Sequence, residues 1–354
     1  MHVLVTGGCG FVGSHVVAEL LAAGHRVRVL DDLSTGRRGY LPDAVELQVG
    51  DVADASVVRP ALAGVDAVCH QAAKVGLGSG VTDLADYVRR NDLGTAVLLS
   101  AMADTDAGRL VLASSMVVYG EGGYACPEHG VVRPGPRRRA DLDAGRFEPP
   151  CPICAAPLSV REVDESARLD PRNGYAASKV AQEHLAAVWA SVTGHPAVAL
   201  RYHNVYGRRL PRDTPYAGVA ALFRSALAHG EAPRVFEDGA QLRDFVHVRD
   251  VAVANRLALE HPDVEAGGLT AYNVASGTPR TVHELATALA DAVGGPPPVV
   301  TGEYRVGDVR HVVASPSRAR TRLGFRAATD LATGAADFAA EETDGGTASG
   351  LTGS

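Results

Sequence analysis

The chain opens with the stretch Val3-Leu4-Val5-Thr6-Gly7-Gly8-Cys9-Gly10-Phe11-Val12-Gly13, in which a short apolar run precedes three glycines spaced three residues apart. This order predicts a buried strand, a tight glycine turn and the first turn of a helix, where backbone amides bind a pyrophosphate. The glycine spacing is one residue longer than the common dinucleotide fingerprint. The position of the glycines directly after an N-terminal strand strengthens the prediction of a dinucleotide site. We therefore expect cofactor contacts from Gly7, Gly10, Phe11, Val12 and Gly13.

Short apolar runs alternate with helical patterns through the first 200 residues. The predicted strands are 3–6, 27–30, 45–49, 67–69, 110–113 and 197–200, and the predicted helices are 12–23, 55–62, 84–102 and 175–191. This alternation predicts an α/β fold, a Rossmann-type doubly wound parallel sheet with helices on both faces.

The pattern becomes mixed after residue 200, with helical stretches at 218–229, 248–259 and 282–292 separated by Gly/Pro loops. We assign residues 1–200 to a nucleotide-binding domain and 201–333 mainly to a smaller C-terminal substrate lobe. The composition of residues 334–354, dominated by Ala, Gly, Thr, Ser and Glu, predicts a disordered tail.

Carboxylates follow two of the predicted strands. Asp31 closes the second strand 18 residues beyond Gly13, where a carboxylate accepts the adenosine ribose hydroxyls and repels a 2′-phosphate. We therefore expect NAD rather than NADP, with Asp32 beside it. Asp51 and Val52 follow the third strand, next to the expected adenine. A carboxylate at a helix N-terminus is the alternative role for Asp51.

Tyr175 and Lys179 lie four residues apart in a helical pattern, and such residues share one helix face. A neighbouring ammonium favours the ionised form of a phenol, whose reference pKa is about 10, so the pair fits a general base. Lys74 and Lys179 are the only lysines of the chain, and an arginine does not easily replace a compact, tunable ammonium. The alternative is an exposed aromatic ring beside a solvated lysine.

Composition excludes several classes of function. The net charge of -7 offers no basic face to nucleic acid, and no apolar run reaches the roughly 18 residues of a membrane span. Hydrophobic residues make up 46% and charged residues 21%, as in ordinary soluble domains. We expect a cytoplasmic protein whose five cysteines are reduced.

An insertion at residues 121–165 separates the region around Gly120 from Tyr175. It contains Cys126-Pro-Glu-His129 and Cys151-Pro-Ile-Cys154. A C-x-x-H and a C-x-x-C of this kind supply four ligands for tetrahedral zinc, and such a filled site is structural. A flexible loop with reduced, unpaired cysteines is the alternative.

Several motifs in order along residues 1 to about 330 together resemble the extended short-chain dehydrogenase/reductase family, and within it the nucleotide-sugar epimerases. They are Thr6 to Ser14, Asp31, Gly50-Asp51, Ser114-Ser115, Val118-Tyr119-Gly120, Tyr175-x-x-x-Lys179 and Arg243 to Val248. The insertion is similar to that of bacterial dTDP-L-rhamnose 4-epimerases.

The resemblance implies roles for further residues. Ser115 would join Tyr175 and Lys179 as a catalytic residue by hydrogen-bonding the sugar hydroxyl. Asn91 would order the surroundings of the lysine. The remaining implied contacts are with the cofactor (Gln71, Ala72, Ala73, Asn91, Tyr202) or with the nucleotide-sugar substrate (Lys74, Ser115, Met116, Asn204, Arg243, Arg305).

Sugar dehydratases of this family carry an acid pair directly after the hydroxyl residue, whereas this chain has Met116 and Val117, which transfer no proton. The resemblance then implies an NAD-dependent 4-epimerase that works through a transient 4-keto sugar, on dTDP-L-rhamnose or a UDP-hexose. A nucleotide-sugar ketoreductase and a non-catalytic dinucleotide sensor are the alternatives. The resemblance also implies a homodimer through helices 84–102 and 175–191.

Overall fold

The computed structural model describes residues 1–76, 80–211, 218–262 and 264–340. Its strands are β1 (His2–Thr6), β2 (Arg26–Asp31), β3 (Glu46–Val49), β4 (Ala67–His70), β5 (Leu110–Ser115), β6 (Gly123–Cys126), β7 (Gly130–Val132), β8 (Ser159–Arg161), β9 (Ala197–Tyr202), β10 (Asn204–Tyr206), β11 (Arg234–Val235), β12 (Leu242–Arg243), β13 (Phe245–His247), β14 (Leu269–Val274), β15 (Arg280–Thr281) and β16 (Val299–Val300). Its α-helices are α1 (Phe11–Ala22), α2 (Ala55–Ala61), α3 (Leu84–Tyr87), α4 (Gly94–Met102), α5 (Arg139–Asp143), α6 (Gly174–Thr193), α7 (Val219–Ala228), α8 (Val248–Glu260), α9 (Val282–Val293) and α10 (Leu331–Ala339).

Seven strands form one parallel sheet in the order β14-β9-β5-β4-β1-β2-β3. The six predicted strands are all in it, which confirms the predicted fold class. The seventh strand, β14, comes from the region assigned to the lobe and returns to the nucleotide-binding domain. Successive strands are added on one side of β1 up to β3 and on its other side from β4 onward, and ligands of such folds bind at the carboxyl edge near this point of reversal.

Alternation of side chains along the strands gives the sheet an apolar core on each face. Val3 and Val5 of β1 pack in one core with α1 and α8, while Leu4 packs in the other with α2, α4 and α6. The predicted helix 84–102 is divided into α3, a π-helical segment (Val88–Leu93) and α4. No helix of the described ranges is long and apolar enough to cross a membrane.

The C-terminal part of the chain has a separate hydrophobic core in which Phe223 of α7, Leu285 of α9 and Phe338 of α10 meet. The tail boundary predicted at residue 334 is wrong, because α10 is capped by the Asp330 side chain and buries Phe338 completely. Alanine favours helices, so the same composition also suits a packed helix. The rest of the predicted tail, residues 341–354, lies outside the described residues.

The insertion has a fold of its own. Strands β6, β7 and β8 form an antiparallel sheet in the order β7-β6-β8, with α5 following β7. A small core joins Tyr124 and Val132 to Cys126 and Cys151.

Candidate active site

The glycine turn after β1 is tightly packed against neighbouring backbone. Gly7 has φ +67, and a Cβ there would lie 2.6 Å from the Ala72 nitrogen. A Cβ on Gly13 would lie 2.1 Å from the Gly7 carbonyl oxygen. The α1 N-cap, Gly10, makes no side-chain capping bond, so the first amides of Phe11, Val12 and Gly13 can meet an anion. This cradle fits a pyrophosphate.

Asp31 lies at the carboxyl end of β2 with only 7% exposure. Its carboxylate accepts hydrogen bonds from the backbone nitrogens of Cys9 (2.9 Å) and Leu33 (2.8 Å). Burial raises the pKa of Asp31, and these two bonds oppose the rise. The carboxylate therefore links the glycine turn to β2 and keeps acceptor capacity for a ribose hydroxyl.

The other predicted acidic residues have partners within the chain. Asp32 accepts from Ser34, with N···O at 2.9 Å. Asp51 accepts from the Ala53 nitrogen (2.9 Å) and pairs with Arg89 (2.7 Å), and Val52 beside it is buried. Asp51 does not cap α2, whose N-cap is Asp54. The adenine contact of Asp51 stays a prediction.

The predicted catalytic residues lie together at the start of α6 and the end of β5. Asn173 caps α6 by accepting from the Ala176 nitrogen (2.8 Å). The side chains of Ser115 and Tyr175 line the same cavity. The Lys179 Nζ lies 5.8 Å from the centre of the Tyr175 ring and donates to the Ala113 carbonyl at 2.8 Å.

Burial dominates the electrostatics of this group. It raises the pKa of Tyr175 to about 12, although the nearby Ser115 hydroxyl opposes the rise. It also lowers the pKa of Lys179 to about 7, against the opposing charges of Glu183 and Asp92. The phenol of the protein alone therefore keeps its proton at neutral pH. A further positive charge, such as the ring of an oxidised nicotinamide, is needed to form the phenolate.

A buried ion pair between Glu183 and Arg201 lies next to the catalytic residues. Arg201 of β9 donates to both carboxylate oxygens of Glu183, at 2.9 and 2.7 Å, and to the Tyr119 hydroxyl at 2.9 Å. Ser114, next to Ser115, donates to the same glutamate at 2.5 Å. The pair fixes α6 against β5 and β9. Sequence reasoning missed Glu183, although it continues the Tyr175, Lys179 face of the helix by one more turn.

Asn91 lies in the π-helical segment and ties the loop after β4 to α6. Its amide oxygen accepts from the Lys74 nitrogen (2.7 Å), and its amide nitrogen donates to Ser178 Oγ (2.8 Å). The Lys74 Nζ is paired with Asp86 at 2.7 Å and Asp83 at 3.3 Å. Because carboxylates already balance its charge, the geometry favours a structural role for Lys74, and its substrate contact stays a prediction.

The rest of the predicted cofactor loop contacts β1 and β9. The Ala72 nitrogen donates to Thr6 Oγ1 at 3.2 Å, and Ala73 follows it. The Tyr202 hydroxyl donates toward Gln71 (3.1 Å) and Asn255 (3.0 Å). These bonds hold the loop at the carboxyl edge of the sheet.

A cavity of about 240 Å³ opens onto Ser115 and Tyr175. The amide oxygen of Asn204 is buried without a hydrogen-bond partner among the described residues, so it can accept a hydrogen bond from a bound ligand. Sequence reasoning missed most of the wall, because β10, β13 and α7 supply it from distant positions. The lining residues are Ser115, Met116, Tyr175, Tyr202, His203, Asn204, Val205, Tyr206, Leu210, Gly218, Val219, Ala220 and Phe245.

Three predicted substrate residues, Lys74, Arg243 and Arg305, do not line this cavity. Arg243 donates to the carbonyls of Val309 (2.7 Å) and Arg310 (2.8 Å), and Arg305 is exposed with its guanidinium 5.4 Å from the Phe236 ring centre. Their contacts with a diphosphate stay predictions.

The four predicted metal ligands of the insertion do come together. The ligand atoms of Cys126, His129, Cys151 and Cys154 all lie within 4.8 Å of one another.

Comparison with known proteins gives consistent results. Residues 3–139 and 152–275 match the profile of the NAD dependent epimerase/dehydratase family. A dTDP-L-rhamnose 4-epimerase of Burkholderia thailandensis is 32% identical over 92% of this chain and 90% of its own length. A UDP-glucose 4-epimerase of Mycolicibacterium smegmatis is 33% identical over 95% and 96%.

Solved structures resemble the whole chain. The UDP-glucose 4-epimerase of Thermotoga maritima with UDP-glucose has a TM-score of 0.80 at 28% identity, covering 96% of this chain and 97% of that one. The Thermus thermophilus UDP-glucose 4-epimerase in complex with NAD has a TM-score of 0.76 at 32% identity, covering 96% and 98%.

Proposed function

Since this chain belongs to the NAD dependent epimerase/dehydratase family, we propose that it is an NAD-dependent nucleotide-sugar 4-epimerase. One observation carries the proposal: Tyr175 and Ser115 line one cavity, with Lys179 Nζ 5.8 Å from the centre of the tyrosine ring. The two residues after Ser115, Met116 and Val117, offer no second proton-transfer pair. Such a site can interconvert a carbinol and a ketone, but it cannot also eliminate water.

The residues around the glycine cradle fit NAD. Gly7, Gly10, Phe11, Val12 and Gly13 would hold the pyrophosphate by their backbone. A Cβ at Gly7 or Gly13 would disturb this turn by colliding with the backbone of Ala72 or of Gly7. Asp31 would accept the ribose hydroxyls. Further contacts would come from Asp32, Asp51, Val52, Gln71, Ala72, Ala73, Asn91, Tyr175, Lys179 and Tyr202.

Tyr175 takes the proton of the sugar 4-hydroxyl in this mechanism, while Ser115 hydrogen-bonds the same oxygen. Lys179 and the cationic ring of oxidised NAD favour the phenolate, whose pKa is otherwise about 12. The cofactor, when bound, supplies the hydride chemistry by accepting the C4 hydrogen and returning it. The 4-keto sugar turns over between the two transfers, and Tyr175 gives the proton back, so C4 is inverted without net redox change.

We favour dTDP-L-rhamnose over a UDP-hexose as the substrate. The cavity wall near Ser115 is largely apolar, with Met116, Val205, Val219 and Phe245. An apolar wall suits the C6 methyl group of a 6-deoxy sugar better than a hydroxymethyl group. Val205, Val219 and Phe245 of this wall lie within residues 201–333, as does Asn204, which is consistent with a substrate lobe.

The test is incubation of purified protein with dTDP-L-rhamnose, UDP-glucose or UDP-galactose, without added NAD or NADH. We expect the C4 epimer from at least one donor, with NAD that co-purifies. A ketoreductase would instead consume NADH in proportion to product. Absence of any C4 epimer would overturn the proposal, and an epimer from the UDP-hexoses alone would overturn only the substrate preference.

We also propose a homodimer formed by α3, the π-helical segment and α6. Apolar side chains on these elements are exposed: Leu84 44%, Val88 53%, Val188 63% and Val192 81%. Exposed apolar side chains concentrated on neighbouring elements are typical of an interface. Light scattering should give twice the chain mass, and Val188→Glu should lower it; a monomeric wild-type protein contradicts the proposal.

A further inference from the structure

The ligand atoms of the insertion are spaced as the corners of a tetrahedron. Cys126 Sγ lies 3.7 Å from Cys154 Sγ and 3.5 Å from His129 Nδ1, and Cys151 Sγ lies 3.9 Å from the same nitrogen. Tetrahedral zinc with Zn–S of about 2.3 Å and Zn–N of about 2.0–2.1 Å separates sulfur atoms by about 3.8 Å and sulfur from nitrogen by about 3.5 Å. We propose that these four side chains bind one zinc ion.

The backbone presents the ligands in two turns. Cys126 ends β6 and His129 directly precedes β7. In the second turn the Cys151 nitrogen donates to the Ala156 carbonyl and the Ala155 nitrogen donates to the Cys151 carbonyl, both at 2.9 Å. Ala155 has φ +60, a conformation unusual for a residue with a side chain. The fold thus closes a strained turn around the two sulfur atoms.

The insertion has little else to hold it together. Its apolar core contains four buried residues, and two of them are the proposed ligands Cys126 and Cys151, with 3% and 2% exposure. A core of this size is too small to stabilise an independent fold, and small folds commonly use a metal instead. Because four protein ligands fill the coordination sphere, the zinc is structural.

A disulfide between Cys126 and Cys154 is the competing use of these thiols. Their separation of 3.7 Å is far from the S–S bond length of about 2.05 Å, and all five cysteines are free. A disulfide would also leave unexplained why Cys151 and His129 complete the cluster.

The metal-bound insertion also positions part of the lobe. The His311 nitrogen donates to the Tyr124 hydroxyl at 3.2 Å, and Glu148 pairs with Arg310 at 2.6 Å. Carbonyls of the same segment hold Arg243. Loss of zinc should therefore loosen residues 309–312 as well as the insertion.

The test needs no substrate, so its result is independent of the proposed activity. Protein purified without added metal should contain one zinc per chain by plasma mass spectrometry. Cys154→Ser and His129→Ala should lose more than about four-fifths of it, whereas Glu128→Ala, an exposed neighbour outside the cluster, should keep it. Wild-type protein with less than about a tenth of an equivalent overturns the proposal.

A second measurement uses the wild-type protein alone, in case the variants do not fold. Titration of its thiols with an organomercurial should release one zinc per chain, detected with a metallochromic dye. An intact protein mass that is two hydrogen atoms lower than that of the fully reduced chain, assigned to a Cys126–Cys154 disulfide, would contradict the proposal. After zinc release, amide exchange should rise in residues 123–161 and 309–312; unchanged exchange in 309–312 would refute the coupling to the lobe.

Discussion

Gly13→Ala should weaken NAD binding because the added methyl group has no room. The new Cβ would lie 2.1 Å from the Gly7 oxygen, 2.8 Å from the Gly7 carbonyl carbon and 2.9 Å from the Gly8 Cα. All three neighbours are backbone atoms, so no side chain can rotate away. Since real Cβ contacts do not fall below 3.0 Å, the glycine turn and α1 must separate by about 0.9 Å.

The size of the effect follows from this displacement. Overpacking of a tight site costs about 1–3 kcal/mol, and each 1.4 kcal/mol is tenfold in an equilibrium constant. If that cost falls on the closed cradle that holds the pyrophosphate, the Kd for NAD rises roughly 5- to 150-fold. Turnover at saturating NAD should change much less, because Tyr175, Lys179 and Ser115 are untouched.

Titration calorimetry of cofactor-stripped protein measures the change. Gly268→Ala is the matched control, since a Cβ there meets nothing within 4 Å. Gly268 directly precedes β14, an edge strand that does not contact β1. We expect the control to bind NAD as the wild type does. A Gly13→Ala protein with wild-type affinity would refute the assignment of this turn to the pyrophosphate.

Three further changes test other parts of the account. Tyr175→Phe should lower kcat at least 100-fold or so while NAD affinity stays within about twofold, and near-normal turnover would remove the tyrosine from the mechanism. Burial lowers the pKa of His70 to about 3, so the unfolded chain binds more protons than the folded one between pH 3 and 6.5, and the free energy of unfolding falls as pH falls through that window. Urea unfolding should show that His70→Gln reduces the dependence of this free energy on pH by up to about 1.4 kcal/mol per pH unit, and an unchanged pH dependence contradicts the argument. Arg310→Gln should cost about 2–3 kcal/mol of unfolding free energy, because it removes one of the two guanidinium partners of the buried Glu237 carboxylate, the other being Arg137. Arg234→Gln, which breaks an exposed pair with Glu303, should cost under about 1 kcal/mol, and equal losses would argue against the burial of the Glu237 charge.

The sequence predicts features that depend on near neighbours in the chain. The apolar runs predicted six strands, because a strand buried on both faces needs uniformly apolar residues. The glycine turn was also predictable, since Gly7 and Gly13 contact one another across a single turn. Tyr175 and Lys179 followed from helical spacing alone.

Features that depend on distant partners were not predictable. The Glu183–Arg201 pair joins two elements whose approach only the sheet order determines. The cavity wall likewise combines β10, β13 and α7. The raised pKa of Tyr175 was not predictable either, because its cause is burial, which no spacing rule reveals. The position of α10 escaped prediction because its alanine-rich composition suits both a tail and a packed helix.

The central claim is that hydrogen leaves C4 and returns to C4 of the same sugar within one site. Substrate carrying deuterium at C4, incubated with protein and its bound NAD in ordinary water, measures this directly by NMR. The account predicts a C4 epimer that retains deuterium at C4. Product that has lost the label to solvent, or label found in free NADH, would contradict it.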